Sequence, residues 1–135
     1  MSSNTVMVQA VYNNYKNNPS EFVNHVNGYG LNKCLGLSIK GEGKPFVPQP
    51  SDKNWSNLSL PWMAFGYGVS ITPLQTLTFY NSVANNGVMV KPQFVSEIKE
   101  WNRTIKKYNT EVINPRVCSQ ETISKLKAVK RQLIT

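Results

Sequence analysis

Two strings in this chain, Ser96 to Lys99 and Ser124 to Lys127, set a serine three residues before a lysine. On a helix that spacing lets the amine take the hydroxyl proton and turns the oxygen into a nucleophile for acyl transfer. Twelve serines and twelve lysines in 135 residues make about one such string a chance event, so the element that carries each string must decide. Ser96 and Lys99 fall in a stretch of alternating apolar and polar residues that predicts a strand, where an odd separation sends the two side chains to opposite faces. Ser124 and Lys127 fall on a predicted helix and can share a face. Ser2, Ser3 and Asn4 carry hydroxyls and an amide directly ahead of another helical pattern, and by themselves they read as helix caps. Tyr67, between Gly66 and Gly68, reads by itself as part of a tight glycine turn. Cys34, Cys118 and the one histidine, His25, lack metal-ligand spacing, so a zinc site has too few ligands and no metal or cofactor is expected. Pairing of the cysteines is an open alternative, but two buried free thiols are the favoured reading.

The elements that must position these residues follow from periodicity and punctuation. Val8, Val11, Tyr12 and Tyr15 recur on one face and predict a helix over about 5–16. Asn18, Pro19 and Glu21 supply an N-cap, a first-turn proline and an early acid for a second helix over 19–28, with Phe22, Val23 and Val26 as its buried stripe. From 31 to 61 glycines and prolines come too often for a long element, so a structured loop is expected, with Leu35, Leu37, Ile39, Phe46, Val47 and Trp55 packed down. Thr72-Pro73-Leu74-Gln75 is a capping box that opens a helix over 72–86, apolar around most of its circumference, which Asn85-Asn86-Gly87 stops. Alternation on both sides of Asn102-Arg103 predicts a β-hairpin over about 88–108. Ser119 caps a last helix over 119–130, with Ile123, Leu126 and Val129 facing a core. The expectation is an α+β chain, mainly helical with one small β-hairpin, forming a single domain over 1–135.

Composition bounds the classes. Hydrophobic residues at 40% support an apolar core, and no apolar run is long enough to cross a bilayer. The formal charge of +8 would attract a polyanion, but the basic residues scatter along the chain, with small groups only at Lys106-Lys107 and from Lys125 to Arg131. A solvated surface is the favoured reading, and no nucleic-acid partner is expected.

The order of landmarks carries more than any one of them: Ser2-Ser3-Asn4 before a helix, Gly30-Leu31 after the next, Phe65-Gly66-Tyr67-Gly68, Thr72-Pro73-Leu74-Gln75, Ala84-Asn85-Asn86-Gly87 and Lys91-Pro92. Together they resemble the transpeptidase domain of the division-type class B penicillin-binding proteins, from Ser2 to about Val129. The resemblance implies a serine acyltransferase that attacks the D-alanyl-D-alanine end of a peptidoglycan stem peptide, and for which β-lactams mimic the donor. It implies the S-x-N half-site on Ser2 and Asn4, Ser2 relaying a proton near the leaving group and Asn4 binding the base lysine and the substrate amide. It further implies Tyr67 as an aromatic wall of the donor cleft. The family places its S-x-x-K nucleophile before S-x-N, which leaves Ser124 and Lys127 as surface residues, and no K-T-G string occurs in the chain.

On this reading the chain is an internal piece of the transpeptidase domain, expected to be inactive alone, and Lys130 to Thr135 depart from the family's continuation. The parent enzyme would be periplasmic and anchored in the inner membrane. Without a signal of its own, the piece would stay cytoplasmic if expressed as encoded. The alternative is a non-catalytic binding or self-association module derived from that domain, and a distant third is a basic nucleic-acid-binding protein.

Overall fold

The computed structural model describes residues 3–132. Among them are five helices and two antiparallel pairs of strands, an α+β architecture in which helix predominates. The chain comprises two compact units, Met1–Cys34 with Gly43–Thr72, and Leu35–Glu42 with Pro73–Thr135.

The first unit holds α1 (Ser3–Tyr15), α2 (Pro19–Gly28) and α3 (Ser59–Ala64), with α1 packed on both of the others. Asn18 leaves the helical region at φ −145° and ψ 72°, and Pro19 then opens α2 at a position whose N–H would have no helical partner. The Asn18 side chain makes no cap bond; its backbone carbonyl accepts from the Glu21 N–H at 3.1 Å instead. Val23 from α2, Val47 and Met63 form the buried core, with Phe22, Val26, Trp55 and Val69 packed against it. Tyr15 closes the α1–α2 corner, its ring 5.5 Å from that of Phe22 and its hydroxyl 3.4 Å from His25 Nδ1.

The expected loop over 31–61 differs from the structure at its end, where α3 begins at Ser59. Pro61 reads as a helix breaker, yet in a first turn its missing N–H costs no bond. Two serines complete the start: the Ser56 N–H donates to Ser59 Oγ at 2.9 Å, and the Leu58 N–H to Ser56 Oγ at 3.3 Å. At the other end Gly66 takes φ 90°, its N–H donating to the Met63 carbonyl and that of Tyr67 to the Trp62 carbonyl, each at 2.9 Å. This left-handed stop satisfies the last carbonyls of a very short helix. Further on, Ser70 and Phe46 exchange backbone bonds of 2.8 and 2.9 Å and pin the loop to the segment after α3.

In the second unit, α4 (Pro73–Ala84) packs on β1 (Met89–Val90) and on α5 (Gln120–Gln132). Its burial inverts expectation. The side chains it buries are Gln75, Thr78 and Ser82, while Leu77 and Tyr80 are 63% and 68% exposed. Thr78 and Ser82 tolerate burial because their hydroxyls donate to the carbonyls of Leu74 at 2.7 Å and Phe79 at 2.6 Å. Asn86 (φ 55°) and Gly87 (φ 89°) stop the helix, with the Gly87 N–H on the Ser82 carbonyl at 2.8 Å.

One hairpin was expected over 88–108; two strand pairs occupy 89–114 instead. β1 pairs with β4 (Val112–Asn114), and β2 (Glu97–Glu100) pairs with β3 (Arg103–Lys107). Pro92 accounts for the division, since it has no N–H to continue a ladder from β1. The last rung before it is the Lys91 N–H on the Glu111 carbonyl at 2.8 Å. The β2–β3 loop is only Trp101-Asn102, between paired Glu100 and Arg103, and Trp101 stands at φ 54°. Ser119 caps α5 as expected, its Oγ accepting from the Thr122 N–H at 3.2 Å. Ile123, 2% exposed, then seats against Gly87, whereas Leu126 and Val129, expected to face the core, are exposed.

Candidate functional site

Ser2 lies outside the described residues. Asn4 lies inside the first turn of α1, exposed, because the helix already begins at Ser3. It lines an open groove of about 890 Å³ between α1 and α3, with Val8, Tyr12, Leu58, Pro61 and Phe65 among the walls.

The Schellman-type turn after α3 delivers Tyr67 elsewhere. Its ring, 61% exposed, stands edge-on to Trp62 with centroids 5.1 Å apart, and 6.5 Å from Phe65. Tyr67 borders a second cleft of about 480 Å³ with Phe46, Trp55, Trp62 and Met63, closed at one side by Pro48 and Asp52. Asn4 and Tyr67 therefore share no cavity: α3 turns Leu58 and Pro61 toward the groove of Asn4, and Trp62 and Met63 toward the cleft of Tyr67. Trp62 and the aromatic cleft were missed in the sequence. The available signal was Phe46 and Trp55 in a glycine- and proline-rich loop, which marks a loop folded onto something apolar.

Neither serine–lysine string assembles a nucleophile. Ser96 lies just before β2 rather than on it, and the amine of Lys99 is engaged by Glu97 at 2.7 Å. The Ser124 hydroxyl donates to the Gln120 carbonyl at 2.9 Å, and Lys127 Nζ donates to Asn86 Oδ1 at 2.6 Å. Hydroxyl and amine share a helix but each serves the packing of α5. Cys34 is exposed and Cys118 half-buried, both free, which corrects the expectation that both thiols are buried. Cys34 follows the turn after Gly30, outside any helix or strand. Among the described residues no group of three or more His, Cys, Asp or Glu could hold a metal ion.

A polar cavity of about 460 Å³ opens in the second unit, lined by Gly36, Ser38, Lys91, Phe94, Tyr108 and Glu111 among others. Its lysine is already paired, Lys91 Nζ to Glu111 Oε2 at 3.1 Å. The strip that carries Gly36 is fixed by Glu42, whose carboxylate accepts from the N–H groups of Leu35 and, at 3.0 Å, of Leu37.

The profile of the penicillin binding protein transpeptidase domain family matches residues 1–132. The chain is 31% identical over 119 residues to penicillin-binding protein PbpB of Mycolicibacterium smegmatis, covering 86% of this chain and 17% of that one. It is 32% identical over 69 residues to the peptidoglycan D,D-transpeptidase FtsI of Escherichia coli K12, covering 51% of this chain and 11% of FtsI. Among solved structures, penicillin-binding protein 2B of Streptococcus pneumoniae strain R6 superposes with a TM-score of 0.72 at 26% identity, over 92% of this chain and 23% of that one. The chain thus spans less than a quarter of each of these relatives.

Proposed function

The chain belongs to the penicillin-binding protein transpeptidase domain family, in its class B branch, and from that premise we propose that it supplies part of an enzyme that crosslinks peptidoglycan during cell-wall synthesis and division. In this reading the reaction is acyl transfer from a D-alanyl-D-alanine stem peptide, and a β-lactam occupies the same donor cleft. Ser2 and Asn4 form the S-x-N half-site, the hydroxyl relaying a proton and the amide holding the substrate. Tyr67, backed by Trp62, walls the donor side. The parent enzyme works in the periplasm from a membrane anchor.

Alone, the chain is catalytically inactive. The observation that carries this is the engagement of both candidate pairs elsewhere: Lys127 on Asn86, Ser124 on a helix carbonyl and Lys99 on Glu97. A serine without a neighbouring base and without oxyanion donors acylates at nearly the uncatalysed rate. Incubation with a fluorescent penicillin, followed by denaturing electrophoresis, is expected to give no covalent band. A band that disappears in Ser96→Ala or Ser124→Ala would refute the assignment.

A second reading, self-association of this chain, is favoured by one observation, the exposed Leu77 and Tyr80 on α4. Sedimentation coefficients that rise with concentration would support it.

A further inference from the structure

The cleft of about 480 Å³ beside Tyr67 has a property that an aromatic wall alone does not require. Phe46, Trp62 and Tyr67 stay exposed along it, and the half-buried Trp55 joins them while packing on the core of Val23, Val47 and Met63. These walls are fixed by the fold. Phe46 is pinned by its backbone exchange with Ser70, and the rings of Trp62 and Tyr67 meet at 79°.

Among the described lining residues only Asp52 carries a charge, and it is negative in a chain whose formal charge is +8. Its carboxylate is held in place: Oδ2 accepts from the Gln49 N–H at 2.7 Å, while the Asp52 N–H donates to the Gln49 carbonyl at 2.9 Å. No ion pair among the described residues uses it, and the nearby Lys44 and Lys53 do not line the cleft. Aromatic faces are the negative part of their rings, so four rings and one carboxylate attract a cation and repel an anion. A purely apolar ligand would gain nothing from Asp52.

We propose that this cleft is a recognition site for a primary ammonium group, held between the aromatic walls and Asp52. Which molecule carries the cation rests on the transpeptidase reading; the site itself does not. Acyl transfer that crosslinks one peptide to another ends on an amine of the second, so a strand fit for crosslinking carries a primary amine, protonated near neutral pH. Strands of one polymer serve as donor and acceptor alike, so the donor carries that amine too. Protonated, it has no lone pair with which to attack, and the cleft therefore recognises the peptide rather than activating it. The D-alanyl-D-alanine carboxylate has the wrong charge to lie against Asp52.

Titration of the intact chain with Nα-acetyl-lysine amide, followed by the indole N–H resonances in NMR at constant ionic strength, tests the site. Saturable shifts are expected at Trp55 and Trp62 and not at Trp101, which does not line the cleft. The Nε-acetylated compound, of similar shape but neutral, is expected to bind at least about fivefold more weakly. Asp52→Asn keeps a side-chain acceptor for the Gln49 N–H and is expected to weaken binding about fivefold. Replacing the exposed ring in Tyr67→Leu should weaken it about threefold. Equal shifts with the acetylated compound, no saturation, or unchanged affinity in Asp52→Asn would overturn the proposal. General attraction cannot imitate the expected result, because the net charge of the chain repels cations. A second titration with Nα-acetyl-lysyl-D-alanyl-D-alanine separates the two readings. Binding of the lysine amide without binding of this peptide would support the cation site and sink only the donor assignment of Tyr67.

Discussion

Gly87 and Ile123 meet where α4 ends and α5 begins, and single atoms decide the fit there. A Cβ added at Gly87 would lie 3.5 Å from Ile123 Cγ1, an ordinary contact, so crowding is not what excludes alanine. The backbone at φ 89° does, and Gly87→Ala is expected to lower unfolding free energy by about 1–2 kcal/mol in urea titration. Ile123→Ala removes a fully buried side chain and leaves a cavity, a loss of about 2–5 kcal/mol in the same titration. Features of this reach were legible in the sequence. The stop at Asn86-Gly87, the proline at the start of α2 and the Ser119 cap each use backbone groups within five residues, so the letters in one short window state the outcome. Asn4 was legible as a helix-entry residue, but the groove it lines was not, because Leu58, Pro61 and Phe65 reach it from half the chain away in sequence.

Elements failed to be legible where their partner is distant or their composition misleads. β1 and β4 find each other across the whole β2–β3 hairpin, and alternation alone cannot say which strand a strand will join. α3 hid behind Pro61 and the surrounding breakers. α4 was expected to be mostly buried from its apolar content, yet its fully buried side chains are polar, made possible for Thr78 and Ser82 by hydroxyls that bond back to the helix, while Leu74, Phe79 and Val83 are half-buried. The exposed Leu77 and Tyr80 should therefore matter little to folding and much to association. Leu77→Lys with Tyr80→Lys is expected to change stability by no more than about 0.5 kcal/mol, while any concentration-dependent sedimentation is abolished. Loss of the cap in Ser119→Ala is expected to cost about 1 kcal/mol, seen as a lower melting midpoint with α5 helicity falling first in circular dichroism.

At the scale of the whole molecule, the chain enters its second unit twice, first as Leu35–Glu42 and again from Pro73 onward. The early visit is secured by Glu42, which gathers the N–H groups of Leu35 and Leu37, and it carries the buried Leu35. A chain cut after Thr72 keeps this segment and loses the rest of its unit. Limited proteolysis of that shortened chain is expected to cleave first within 35–42, a region that should resist in the intact protein. The same double entry constrains how relatives could trade parts. A single crossover between two homologous genes within Gly43–Thr72 would hand the second unit a mixed inheritance, its early strip from one parent and its helices from the other. Mosaic genes that keep both units matched must instead exchange two separate blocks, so productive breakpoints should cluster in a pair flanking that strip and again before Pro73.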